Sequence, residues 1–199
     1  MSANHKLPQT QAAPPAGKPV VYQVFTRLFG NKNTTNKPWG TLAENGVGKF
    51  ADFTDDALQG IKELGTTHIW YTGVPHHAVI NDYSAYGISH DDPDVVKGRA
   101  GSPYAVKDYY NVNPDLAVDP ANRLAEFEAL IARTHAHGMK VIIDIVPNHV
   151  ARNYESLSRP AGVNDFGAHD NTAVTYARDN NFYYVVGESF KVPAANNGL

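Results

Sequence analysis

The chain has 199 residues, 42% of them hydrophobic and 19% charged, with a formal net charge of −3, an ordinary globular balance at a length that buries a core. No basic patch stands out, which argues against a nucleic-acid partner, and no apolar run approaches the ~20 residues that span a bilayer. The absence of cysteine excludes disulfides and thiolate metal sites.

Residues 1–19, MSANHKLPQTQAAPPAGKP, carry no apolar stretch of the signal-peptide kind and read as a flexible leader. The first buried strand is expected at residues 20–25, VVYQVF, followed by a long polar loop from Phe29 to Phe53. A helix is expected from Thr54 as N-cap to Leu64. Asp55 and Asp56 lie in its first turn, Leu58, Ile61 and Leu64 form its apolar face, and Gly65 is its stop. The second strand follows at residues 67–73, and a second long loop covers residues 74–118.

A further helix begins with Asp119 as cap and Pro120 at the first helical position, its stripe being Leu124, Phe127, Leu130, Ile131 and Thr134. Gly138 ends it, and a third strand, KVIIDIV, follows at residues 140–146. The order β-α-β-α-β implies a parallel sheet with helices outside it. Helix-to-strand links are two residues long, while strand-to-helix links are long. Long loops at the C-terminal ends of strands are where a β/α barrel builds its site. A doubly wound sheet shares that polarity, and periodicity does not separate the two. Residues 147–199 lack a period, are rich in Asn, Asp, Gly and Tyr, and offer only short strand candidates such as residues 182–186.

The densest chemical signal is VIIDIVPNHV, residues 141–150. Asp144 in an apolar strand is costly unless it is hydrogen-bonded or paired, and Asn148 and His149 sit where a barrel opens to substrate. Read plainly, this is a capped strand end with a satisfied Asp and a hydrogen-bonded loop histidine. His135 and His137 fall in the last helical turn, where a cation suits the helix dipole. His76, His77 and His90 lie in the second long loop with no zinc-type spacing.

DIVPNH resembles the first signature region of the α-amylase family of glycoside hydrolases. The likeness extends to YQVFTRLFG at residues 22–30, GIKELGTTHIWYTGV at 60–74 and SPYAVKDYYNVNPDL at 102–116, in the family's order. It implies an α/β fold. Residues 20–146 would be the first three β/α units of a (β/α)8 TIM barrel, and 147–199 the start of a small irregular domain inserted after the third strand.

It further implies hydrolysis of α-glucosidic bonds in starch-type glucans by a retaining mechanism, His149 bonding sugar hydroxyls and Tyr104 stacking on the same ring. Asp144 would hold an arginine and loop of the next strand, and Asn148 would ligate calcium through its amide oxygen. A second calcium would sit at Asn31, Asn33 and Asn36. Asn there replaces the acidic residue of the family pattern, which lowers the expected affinity, and a turn-rich polar loop is the competing reading.

In the family the nucleophile lies in an R-x-D pattern after the fourth strand, with the acid after the fifth. No R-x-D occurs in this chain, so no catalytic carboxylate is expected among its residues and the chain alone is expected to be silent. The alternatives are a non-catalytic amylase-like binding subunit, or a transglycosylase or isomerase of the same family. A polymeric α-glucan as partner suits an extracytoplasmic location.

Overall fold

A computed structural model describes residues 17–189. The leader expected at 1–19 therefore lies almost entirely outside the described residues. The elements are β1 (Val21–Phe25), α1 (Leu42–Asn45), α2 (Asp55–Glu63), β2 (His68–Thr72), β3 (Pro75–His77), β4 (Val106–Val112), α3 (Arg123–Ala136) and β5 (Lys140–Ile143), with short 3-10 turns between them.

β1, β2 and β5 form a parallel sheet in that order, with Val24 opposite Tyr71 and Tyr71 opposite Ile143. Alternation along the strands sends Val24, Ile69 and Tyr71 to one face, where they meet Leu58 and Ile61 of α2 and Phe127 and Leu130 of α3 in a single core. Phe53 closes this core, its ring edge-on to Tyr71 at 4.9 Å and stacked on Phe29 at 4.1 Å. The Tyr71 hydroxyl meets Thr134 Oγ1 at 2.7 Å, which fixes α3 on the sheet. Full burial is expected of all three strands, but even the central β2 leaves His68 and Trp70 partly exposed. β1 exposes Val21 and Phe25, and β5 exposes Ile143, because each flanks the sheet on one side only.

The helices start where local chemistry directs them. Thr54 Oγ1 accepts the Ala57 N–H at 3.2 Å, and Gly65 turns the chain out with a φ of +82°. Leu64 is exposed rather than on the apolar face, since it follows the last helical residue. Asp119 caps a 3-10 turn at Pro120–Asn122 instead of the α-helix, and Glu126 reaches back to the N–H groups of Val118 and Asp119. This prelude rotates α3, so Arg123 is buried and Leu124 is half-exposed. Arg123 Nε donates to Asn111 Oδ1 at 2.8 Å, which satisfies the buried guanidinium.

The second long loop is more ordered than its sequence implies, since β3 and β4 pair in it as an irregular antiparallel ladder. The polar residues Lys107, Asp108 and Asn111 inside β4 hide its strand signal. Among the described residues of 147–189 there is neither helix nor strand. The candidate strand at 182–186 is a bend held by Asp170, which accepts the N–H groups of Asn181 and Phe182.

Candidate functional site

The C-terminal ends of β1, β2 and β5 share one rim. Gly73 follows β2 with a φ of +82°, and a Cβ there would lie 2.9 Å from the Phe25 ring and 3.6 Å from Pro103. The loop bearing Tyr104 is thereby folded down over the ends of β1 and β2. Tyr104 is exposed, its N–H directed to Ser102 Oγ at 3.3 Å.

The chain leaving β5 is fastened to β4. Ala151 N–H donates to Val106 O at 2.7 Å, Glu155 N–H donates to Lys107 O at 2.9 Å, and the Tyr109 hydroxyl donates to Val146 O. Tyr104 stands two residues before Val106, and His149 two residues before Ala151. That backbone bond ties together the two segments that carry these residues. His149 and Asn148 are both exposed, with Asn148 Nδ2 3.4 Å from His149 Nδ1.

Asp144 lies just past β5. Its Oδ1 accepts the Trp70 indole N–H at 2.8 Å, while Oδ2 is buried without a hydrogen-bond partner. The cost expected of a carboxylate here is thus half met.

The metal expectations fare differently. Asn31 Oδ1 accepts the Asn33 N–H, Asn33 Oδ1 accepts from the Thr35 backbone and hydroxyl, and both amide nitrogens donate to carbonyls of Asn45 and Glu44. Asn36 carries a φ of +47°. The carboxylate next to this turn, Glu44, is held by Lys37 Nζ and the Thr41 N–H. Those bonds keep its pKa down at about 2, the Lys37 contact contributing most. A second carboxylate, Asp52, lies against Gly30 at the start of this loop, its Oδ2 accepting the Lys49 N–H at 2.7 Å. Asn148 offers one neutral oxygen, and no group of three or more His, Asp or Glu converges on a metal position among the described residues.

Several buried polar groups were invisible to sequence reasoning. Asp115, fully buried after β4, accepts from Tyr83 at 2.6 Å and Asn81 at 2.8 Å and pairs with Arg27 at 3.4 Å. Lys107 is buried against Asp91 at 2.9 Å. Asp108 accepts the N–H groups of Tyr110 and Leu157, while burial raises its pKa. His76 and His77 are buried, not substrate-facing. His77 bonds the Pro75 and Ala100 carbonyls, whereas both ring nitrogens of His76 are orphaned. The contacts of Asp115, Lys107 and Asp108 with Arg27, Asp91 and Leu157 join residues far apart in sequence.

Residues 23–188, well over half of the chain, match the sequence model of the alpha amylase catalytic domain. The chain belongs to the α-amylase family. It is similar to a cyclomaltodextrin glucanotransferase of Geobacillus stearothermophilus, 28% identical over 178 residues, which covers 83% of this chain and 22% of that protein. A second, from Bacillus sp. strain 17-1, is 30% identical over 151 residues, covering 71% and 19%. Among solved structures it is similar to an α-amylase from Lactobacillus plantarum, with 34% identity, a TM-score of 0.45, and coverage of 68% and 24%. The chain spans less than a quarter of the length of these curated relatives. The α-amylase match takes in the rim residues Tyr104, Asp144, Asn148 and His149 together.

Proposed function

We propose that this chain forms the sugar-binding wall of a (β/α)8 barrel enzyme acting on α-glucosidic bonds of starch-type glucans by a retaining route. The observation that supports the reading is the Val106–Ala151 backbone bond, which ties together the segments bearing the exposed Tyr104 and His149, in a chain of the α-amylase family. An aromatic face and a two-nitrogen ring together suit a pyranose. The Tyr104 ring stacks on the sugar's C–H face, and His149 bonds its hydroxyls. Those bonds tighten as the ring flattens toward the oxocarbenium-like transition state.

The orphaned Oδ2 of Asp144 supports its role as anchor for a guanidinium from the next strand, since a buried carboxylate oxygen gains most from a charge-assisted donor. Ile143 and Ile145, exposed at the end of β5, support the same neighbour. Retention needs a nucleophile and an acid/base carboxylate about 5–5.5 Å apart. Glu188 is exposed in the irregular tail, where no strand aims it at the rim. In this reading both carboxylates come from residues outside these 199, and this chain contributes binding and orientation. The similarity to glucanotransferases favours, as a second outcome, transfer of the glycosyl group to a sugar hydroxyl instead of water. A polymeric substrate suits an extracytoplasmic setting.

The test uses soluble starch and reducing-end release. The 199-residue chain is expected to release none. In the enzyme that contains it, His149→Ala is expected to lower kcat about 10- to 1000-fold, a lost transition-state contact of about 1.4–4 kcal/mol. Its melting temperature should be unchanged, since His149 packs on no core. Full kcat in the His149→Ala enzyme contradicts the assignment.

A further inference from the structure

The cavity under the loop after β1 is separate in chemistry from the Tyr104–His149 rim. It measures about 230 Å³ and is lined by Arg27, Asn31, Asn36, Trp39, Asn81 and Arg99 among others. Apolar groups make up much of that wall, and two of its polar donors are guanidinium groups.

Arg27 is partly neutralised, lying 3.4 Å from Asp115 Oδ2. Asp115 Oδ1 is in turn shared by Tyr83 and Asn81. Arg99 differs. Its Nε is buried without a hydrogen-bond partner, and among the described residues no carboxylate forms an ion pair with it. A desolvated guanidinium N–H is costly to leave unmade, and a carboxylate or phosphate oxygen is its best geometric complement.

The backbone around Arg99 is firmly placed. Its carbonyl accepts the Ile80 N–H at 3.0 Å, and the next carbonyl, Ala100 O, lies 3.0 Å from His77 Nε2. Gly101 follows with a φ of +69°, and a Cβ there would lie 1.8 Å from Ala78 O, so only glycine permits this approach.

The opposite wall carries backbone strain. Trp39 has a φ of +58° and Asn36 a φ of +47°, the only two non-glycine residues with positive φ among the described residues. Asn tolerates that region, but a bulky indole residue does not adopt it without compensation. The surroundings impose it: Gly40 N–H bonds Lys37 O, and Thr41 opens α1 with a reciprocal Thr41–Glu44 cap. The strained residue lines the cavity and is partly buried. Such strain concentrates at ligand clamps.

We propose that this cavity is a binding site for a small oxyanion, phosphate or carboxylate, free or carried on a sugar, held by Arg99 with Arg27 and the Asn81 amide alongside. The volume admits one such group with its bridging waters. The site does not depend on the glucan reading, since none of its residues belongs to the Tyr104–His149 rim.

The test uses the two indole N–H resonances of a ¹⁵N-labelled chain, since Trp39 and Trp70 are its only tryptophans. Trp39→Phe assigns them. Inorganic phosphate, acetate and glucose 6-phosphate are titrated separately at constant ionic strength set with chloride. The Trp39 signal is expected to shift saturably with at least one of them, while the Trp70 signal stays in place. Tighter saturation by glucose 6-phosphate than by phosphate identifies a sugar-borne anion, and equal saturation a free one.

Arg99→Gln is expected to weaken saturation at least tenfold, with Arg99→Lys in between. If Arg99→Gln loses its dispersed spectrum, Arg99→Lys alone is read, and an unchanged titration there contradicts the site. Shifts that never saturate, that move both indoles alike, or that survive Arg99→Gln in a folded chain overturn the proposal.

Discussion

The Trp70 indole N–H donates to Asp144 Oδ1 at 2.8 Å across the β2–β5 pairing, and the second oxygen of the same carboxylate is buried without a partner. The two residues are separated by 74 positions. The bond ties the middle strand of the sheet to the start of the rim segment that carries Asn148 and His149.

Opposite outcomes follow for two substitutions at this carboxylate. Asp144→Asn keeps an acceptor for Trp70 and removes a half-compensated charge, so stability in urea should be unchanged or slightly higher. Asp144→Ala strands the indole N–H and should cost about 1–3 kcal/mol. In the enzyme that contains this chain, Asp144→Asn should still impair activity, because an arginine anchor needs the charge.

Acid sensitivity should trace to His76. Burial, reinforced by the neighbouring Lys107, His77 and Arg123 charges, lowers its pKa to about 3. A histidine whose folded pKa lies below its unfolded value takes up protons on unfolding. Its neutral form therefore supports the fold above about pH 6.5, and that support is lost as pH falls from there toward about 3. Because neither ring nitrogen has a partner, His76→Leu forfeits no hydrogen bond. It should flatten the fall in unfolding free energy between pH 6.5 and 4.5, by about 1–3 kcal/mol. An unchanged slope contradicts this assignment.

Lys107 and Asp91 are both almost wholly buried, their charged atoms 2.9 Å apart, and Asp91 also accepts the Val79 N–H. Lys107→Met leaves a buried carboxylate uncompensated and should cost about 3–5 kcal/mol. Adding Asp91→Asn should recover much of that loss, because the pair's worth lies mainly in mutual neutralisation. A double-mutant cycle in urea reads the coupling directly. Additive losses would show that the two side chains act independently.

Thermal melting should not depend on calcium. The Asn31, Asn33 and Asn45 amides close the loop after β1 on themselves, Lys37 holds the Glu44 carboxylate, and Asp52 accepts the Lys49 N–H. Melting curves with excess calcium and with chelator should coincide. A rise of several degrees with calcium would show a site that these residues do not form.

What the sequence made legible was whatever depends on neighbours in the chain. Apolar runs marked β1, β2 and β5, Thr54 and Gly65 bounded α2, and DIVPNH located the rim. What it hid depends on distant partners. β4 is masked by Lys107, Asp108 and Asn111, whose polarity is satisfied by Asp91, by the Leu157 N–H and by Arg123. The same holds for the turn before α3, where Glu126 draws Asp119 away from the helix cap. Spacing alone likewise does not show that the Asn45 and Glu44 carbonyls take up the Asn31 and Asn33 amides.

Whether Tyr104 and His149 together bind sugar is read by calorimetric titration of the 199-residue chain with maltoheptaose. Wild type is expected to bind saturably, with Tyr104→Ala and His149→Ala each weakening binding at least fivefold, about 1 kcal/mol or more. The double variant should be weaker than either. Binding equal to wild type in both single variants, with circular dichroism unchanged, would contradict the account.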